Sequence, residues 1–379
     1  MKKSHQIAYK VLRFLGAPLV KLWLGYDCEK VKELPGSYII MSNHNTDLDP
    51  VLVALSFSRP MAFVASEHVA RSGIWYKILA SLAMLVLRKK GTTASTTVKE
   101  ILKTVRGGTN VCIFAEGDKS WDGVTREILP ATGKMVKTSR CGLITYRLEG
   151  GYFVSPRWSK LKNMRRGHFY GKMVQVYTPE DLSKMSVEEI NAIIAKDLYE
   201  DAYTRQLEAP KEYKGKDLAD GLEKVLFLCE KCGQVDSFQP DGSRITCTHC
   251  GHEITYTTYG FLEGSSHETI HSYVEWEKKQ LASSIIPKQQ LVSTIGRLIT
   301  VEGHEEHAVA DGKVRLSKSG LYVDDWFVDL HDIQEMSMFG NKSMVFTANK
   351  EYYELTILDQ SSALKFQMFW DGCKDELTA

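Results

Sequence analysis

No run of 18 uncharged apolar residues occurs in the 379-residue chain, so a membrane-spanning helix is not expected. SLAMLVL (81–87) is too short to cross a bilayer. A secretory leader is not expected either. Lys10 and Arg13 interrupt the apolar run that follows Lys2 and Lys3, and no A-x-A site comes after it. Acidic residues are absent before Asp27, which makes the first segment purely basic. There is no internal repeat and no low-complexity tract. The eight cysteines do not form a disulfide framework, and a reducing, cytoplasmic-side setting is expected. Lys-Asp-Glu-Leu at 374–377 is followed by Thr378 and Ala379, so it does not read as a retention signal.

Charge is present in quantity but unevenly placed. Residues 1–180 hold 28 Lys and Arg against 13 Asp and Glu; the rest hold 20 against 34, leaving a net charge of +1. A basic half suits an anionic partner: nucleic acid, a membrane surface or a phosphorylated substrate. Residues 5–24 have helical spacing, with Ile7, Val11, Leu12, Leu15, Leu19, Leu22 and Trp23 recurring every three to four positions and a kink expected at Pro18. Two readings fit this basic amphipathic helix: it lies in a membrane interface, or it packs on the domain core.

Beyond it, SYIIM (37–41), MLVLR (84–88), VCIFA (111–115), LITYRL (143–148) and KMVQVY (172–177) read as strands. They alternate with helices predicted to start at Pro50 and over 95–108 and 186–203. That alternation predicts an α/β domain with a mostly parallel sheet and helices on both faces. The expected organisation is an N-terminal helix (1–24), the α/β domain (25–205), a polar linker (206–221), a four-cysteine module (222–258), and a helix with a small β-rich domain (259–379).

Ligands of open α/β sheets sit beyond the carboxyl ends of the strands. Three segments leave strands there: SNHNTDLDP (42–50), Arg88-Lys89-Lys90, and Glu116-Gly117-Asp118-Lys119-Ser120. Asp49 followed by Pro50 reads as an N-cap with proline at the first helical position, which accounts for those two residues without chemistry. It leaves His44 and Asp47 unexplained. His44 and Asp49 are five apart, so they would not share one face of a regular helix. A turn can fold the carboxylate back onto the ring, fixing the imidazole tautomer and leaving its other nitrogen as a base.

His44-x4-Asp49 within NHNTDLDP, followed by Arg88 and then FAEGDKS (114–120), resembles the glycerolipid acyltransferases, and in pattern the 1-acylglycerol-3-phosphate acyltransferases above all. The resemblance covers about residues 1–205. It implies that His44, oriented by Asp49, is the catalytic base that takes a proton from an acceptor hydroxyl, which attacks an acyl thioester of coenzyme A or acyl carrier protein. It further implies that Asn43, Arg88, Glu116, Gly117, Lys119 and Ser120 form the substrate-binding side, commonly for the phosphate of a lysolipid acceptor. Two departures stand out. Asp118 replaces the family's threonine and Lys119 its arginine, and LITYRLEGG (143–151) stands where a valine-proline strand is usual. Lysine lacks the bidentate fork. An inward-facing Asp118 would repel a phosphate and favour a zwitterionic lysolipid, whereas one facing away, paired with Lys119 or Arg126, leaves a lysophosphatidate-like acceptor, the reading that the clustered Arg88 and Lys119 favour. A metal-dependent phosphoesterase is the competing enzyme class, since Asn-His with aspartates can ligate metals, but its upstream Asp-x-His is missing. A non-catalytic membrane scaffold is the other alternative; intact His44 and Asp49 argue against it.

Cys229-x2-Cys232 and Cys247-x2-Cys250, each pair followed by glycine, predict one structural zinc held by four thiolates. His249 and His252 are the substitute ligands. The acidic surroundings argue against nucleic acid as a partner. After a predicted helix at 267–283, the runs VRL, LYV, WFVDL, SMVFT and YYELTIL and a closing helix (361–370) faintly resemble a pleckstrin-homology-like domain.

Overall fold

A computed structural model describes residues 3–69, 80, 84–88, 95–282, 291–302 and 305–377. The described chain forms two compact units. The first comprises the residues up to Arg157 together with Met164–Gly215; the second comprises Trp158–Asn163 and the residues from Lys216 onward.

In the first unit, helix α1 (Lys3–Val11) continues through a π-helical turn (Leu12–Gly16) into α2 (Ala17–Leu24). The break in α-helical bonding thus precedes Pro18, which sits in the first turn of α2, where its missing N–H costs little. The remaining elements are β1 (Tyr26–Cys28), β2 (Tyr38–Ser42), α3 (Asp49–Ser56), β3 (Met61–Ser66), β4 (Met84–Arg88), α4 (Ser95–Arg106), β5 (Asn110–Phe114), α5 (Ala131–Ser139), β6 (Gly142–Glu149), β7 (Phe169–Tyr177), α6 (Pro179–Lys184), α7 (Val187–Leu198) and α8 (Ala202–Glu208). The strands form one sheet in the order β1-β7-β6-β2-β5-β3-β4. Every pairing is parallel except β6 with β7. The predicted strand at 172–177 therefore exists, parallel to β1 but antiparallel to β6. The helix expected over 186–203 divides into α7 and α8. Each half has its own start: Ser186 and Glu189 form a capping box, and Asp201 caps α8.

Helices cover both faces of the sheet, which is why β2 is buried along its whole length. Ile39 and Met41 face a core shared with Ile101 and Val105 of α4, Val136 of α5 and Ile190 and Ile194 of α7. On the opposite face the Tyr9 hydroxyl donates to Ala54 O, the Tyr26 hydroxyl donates to Leu52 O, and Tyr146 bonds Ser56. These bonds tie α1, β1 and β6 to α3.

The second unit holds two antiparallel sheets. The smaller is built from β8 (Phe238–Asp241), β9 (Arg244–Cys247), β10 (Glu253–Tyr256) and β11 (Leu262–Glu263). Helix α9 (Ile270–Ala282) follows. The larger comprises β12 (Leu291–Glu302), β13 (Glu305–Ser317), β14 (Gly320–Val323), β15 (Trp326–Asp329), β16 (Ile333–Phe339), β17 (Ser343–Ala348) and β18 (Glu351–Ile357), in the order β15-β14-β13-β12-β18-β17-β16. Helix α10 (Leu364–Leu377) packs near β16.

Candidate active site

β2 and β5 are neighbours in parallel register, with Ser42 opposite Phe114. Whatever follows each strand must therefore emerge side by side. The backbone joins the two exits: Ser120 N donates to His44 O at 3.2 Å, and His44 N donates to Glu116 Oε1 at 2.7 Å. The His44 ring stacks on Phe114, with centroids 4.3 Å apart.

His44 Nδ1 lies 2.9 Å from Asp49 Oδ2. The same carboxylate oxygen accepts from Asn45 N at 2.6 Å and Thr46 N at 2.9 Å, and Oδ1 accepts from Thr46 Oγ1 at 2.7 Å. Asp49 is fully buried. It does not serve as the N-cap expected from Asp49-Pro50. Leu48 holds that position, Asp49 is the first residue of α3, and its carboxylate turns back over the preceding turn. Two backbone amides and a hydroxyl thus satisfy a buried anion and fix the imidazole that it meets. With Asp49 accepting Nδ1–H, His44 Nε2 is the acceptor nitrogen, and it has no hydrogen-bond partner among the described residues.

Glu116 is also buried. Its Oε2 accepts from Arg126 N at 2.7 Å, so the carboxyl bridges the turn after β2 and the loop after β5. Burial pushes its pKa up to about 8, against the lowering effect of the two backbone donors. Gly117 has φ +72°, and a Cβ there would lie 3.2 Å from Arg88 Nη1. Arg88 ends β4, two strands away from β5, so its long side chain crosses β3 to reach the loop. Glycine at 117 serves both needs. Lys89 and Lys90 lie outside the described residues.

The other expected substrate-side residues have different surroundings. Asn43 is buried, and its amide both donates to Leu148 O and accepts from Leu148 N. The Ser120 hydroxyl donates to Asp122 and accepts from Gly123 N. Asn43 thereby ties the exit of β2 to β6, and Ser120 braces the loop after β5. Asp118 pairs with Arg157 at 2.6 Å and approaches Arg126 at 3.6 Å. The Arg157 guanidinium also donates to Lys119 O at 3.0 Å and stacks over Trp121. Lys119 Nζ meets Asp47 Oδ1 at 2.7 Å. Strand β3, Arg157 and the Lys119–Asp47 pair escape the sequence reading. MAFVAS (61–66), an apolar run after Pro60, was the available signal for β3; nothing local marks Arg157.

In the second unit the four paired cysteines converge, their sulfurs all within 4.8 Å of one another. Cys229 and Cys250 sulfurs are 3.8 Å apart, and those of Cys232 and Cys247 are 3.7 Å apart. A tetrahedron with Zn–S bonds of about 2.3 Å has edges of about 3.8 Å, so the set fits zinc. Gly233 and Gly251, both at φ +72°, close the two knuckles, with Gly233 N donating to Cys229 O and Gly251 N to Cys247 O. His252 is instead engaged by Glu230. Below the first knuckle, fully buried Glu277 accepts from Phe227 N and Leu228 N, and Tyr273 donates to Leu228 O.

Residues 26–149 match the family model described as Acyltransferase. No curated protein gives a significant match. Among solved structures, the crystal structure of the 1-acyl-sn-glycerophosphate (LPA) acyltransferase PlsC from Thermotoga maritima is similar at 17% identity and a TM-score of 0.42, over 53% of this chain and 80% of that one.

Proposed function

We propose that the protein transfers a fatty acyl group from an acyl thioester, of coenzyme A or acyl carrier protein, to a hydroxyl of a glycerolipid, with 1-acylglycerol-3-phosphate as acceptor. The observation that carries this reading is the His44–Asp49 pair at the carboxyl edge of the sheet, with Nε2 available. His44 Nε2 takes the hydroxyl proton as the oxygen attacks the thioester carbonyl. The tetrahedral intermediate expels the thiolate, to which the imidazolium returns the proton. Buried Asp49 stabilises the imidazolium between the two transfers. Arg88 and Lys119 supply the positive charge for the acceptor's phosphate. With Asp118 turned to Arg157 and Arg126, its repulsion of that phosphate is largely removed.

The four cysteines would hold zinc as a closed structural site with no open position, outside the chemistry. The N-terminal helices supply the membrane attachment. Tyr9 and Leu24 face the domain, whereas Ile7, Val11, Phe14, Leu15, Leu19, Leu22 and Trp23 are exposed, Phe14 at 81% and Leu22 at 72%. An exposed apolar stripe flanked by Lys10 and Arg13 suits a peripheral site on an anionic bilayer.

The test is acyl transfer from both donors to a panel of lysolipids by purified protein. His44→Ala should abolish turnover while preserving the fold, and Asp49→Asn should lower kcat by roughly three to four orders of magnitude, as in other His–Asp pairs. Near-normal turnover by a folded His44→Ala protein would refute the assignment.

A further inference from the structure

Asp47 has no part in the chemistry set out above, yet it occupies the ammonium assigned to the acceptor. Its carboxylate lies 2.7 Å from Lys119 Nζ. The two partners are held very differently. The Lys119 side chain is 13% exposed, that of Asp47 62%. The Lys119 backbone is fixed on both sides, its N–H donating to Asp118 Oδ1 and its carbonyl accepting from the buried Arg157. Asp47 sits on the turn between His44 and Asp49, and its side chain faces solvent. The carboxylate can therefore leave into water, while the ammonium stays at the site.

We infer that Asp47 tunes phosphate binding at Lys119 by standing in for the acceptor's phosphate: it holds Lys119 until a phosphate monoester displaces it. This rests on the reading of Lys119 as an acceptor ligand. A phosphate monoester carries close to two charges at neutral pH and three acceptor oxygens, so it replaces a single exposed carboxylate with gain. An uncharged head group has nothing to offer Lys119 and leaves the pair closed. Asp47 thus lowers the affinity for every anion that uses Lys119 and keeps the ammonium engaged when no acceptor is bound. No covalent step is involved, only an exchange of ion-pair partners.

The experiment measures glycerol 3-phosphate binding by titration calorimetry to the full-length protein, in wild type, Asp47→Asn, Lys119→Ala and the double variant. Asp47→Asn should tighten binding by roughly fivefold, the size of one exposed charge contact. In the Lys119→Ala background the same substitution should change nothing, because the effect runs through that ammonium. Equal affinity in wild type and Asp47→Asn would overturn the proposal. So would a gain that persists without Lys119, which would mark general charge repulsion, and so would no binding to any of the four. A second arm compares kcat/KM for lysophosphatidate with that for an uncharged monoacylglycerol, and the ratio should rise in Asp47→Asn. Failure of acyl transfer with every acceptor would end the enzymatic reading, while the binding cycle would still decide the role of Asp47.

Discussion

Glu116 is the residue whose ionisation bears most directly on the fold around the site. Its carboxyl keeps its proton up to about pH 8 in the folded chain, against 4.5 for an ordinary glutamate. Between those values the folded state binds more protons than the unfolded state, so stability falls as pH rises through the window and levels off above it. Wild type should lose on the order of 3–5 kcal/mol from pH 4.5 to 8 relative to Glu116→Gln. Urea denaturation midpoints at pH 5, 6.5 and 8 check this, and parallel curves for the two proteins would show that Glu116 is ionised throughout. At this scale the sequence reveals chemistry more readily than orientation. The facing of His44 and Asp49 follows from a turn ahead of a helix start. By contrast, nothing in the sequence shows that the Asn43 amide bonds Leu148 or that the Ser120 hydroxyl accepts from Gly123 N. The partner of Asp118 is Arg157, 39 positions away, which no local pattern connects to it.

Among the elements, α1 and α2 present the clearest physical imbalance. Their apolar side chains face outward, so the membrane reading requires that these particular side chains matter more than the helix itself. Replacing Phe14 and Leu22 with serine should sharply reduce sedimentation with anionic liposomes and leave the melting temperature within a few degrees, since neither side chain is buried. Undiminished sedimentation would remove the helices from the membrane contact. Strands surrounded on both faces are visible as short apolar runs, as at 37–41 and 111–115, whereas MAFVAS (61–66) is absent from that reading; a short apolar run has no periodicity of its own to mark it. Strands β12 and β16 were missed for a different reason. Register shifts between Ser293 and Gly296 and between Ile333 and Glu335 break the period-two pattern that marks a half-buried strand.

For the whole molecule, the two units make separate claims on stability. Metal analysis should find about one zinc per chain, as a closed four-thiolate site requires. Chelation, or Cys247→Ser, should strip hydrogen-exchange protection from residues 222–258 while peptides within 26–149 keep theirs. Equal loss in both regions would mean that the cysteine module supports the whole chain. The division between a basic α/β half and an acidic half was legible in composition alone. The place of Trp158–Asn163, which interrupts the first unit and joins the second, was not, because only long-range contacts assign it.

The edge pairing of β1 with β7 also sets an order of events during synthesis. Tyr26 pairs with Phe169, so β1 has no neighbour in the sheet until 143 further residues have been made. At roughly 5–20 residues per second that interval is about 7–30 s. Helices α1 and α2 are made well before β7 and carry their apolar stripe through this wait, with the strand that anchors them still unpaired. If the proposed bilayer contact forms during that interval, attachment precedes closure of the domain, and the site after β2 and β5 matures on a chain already docked.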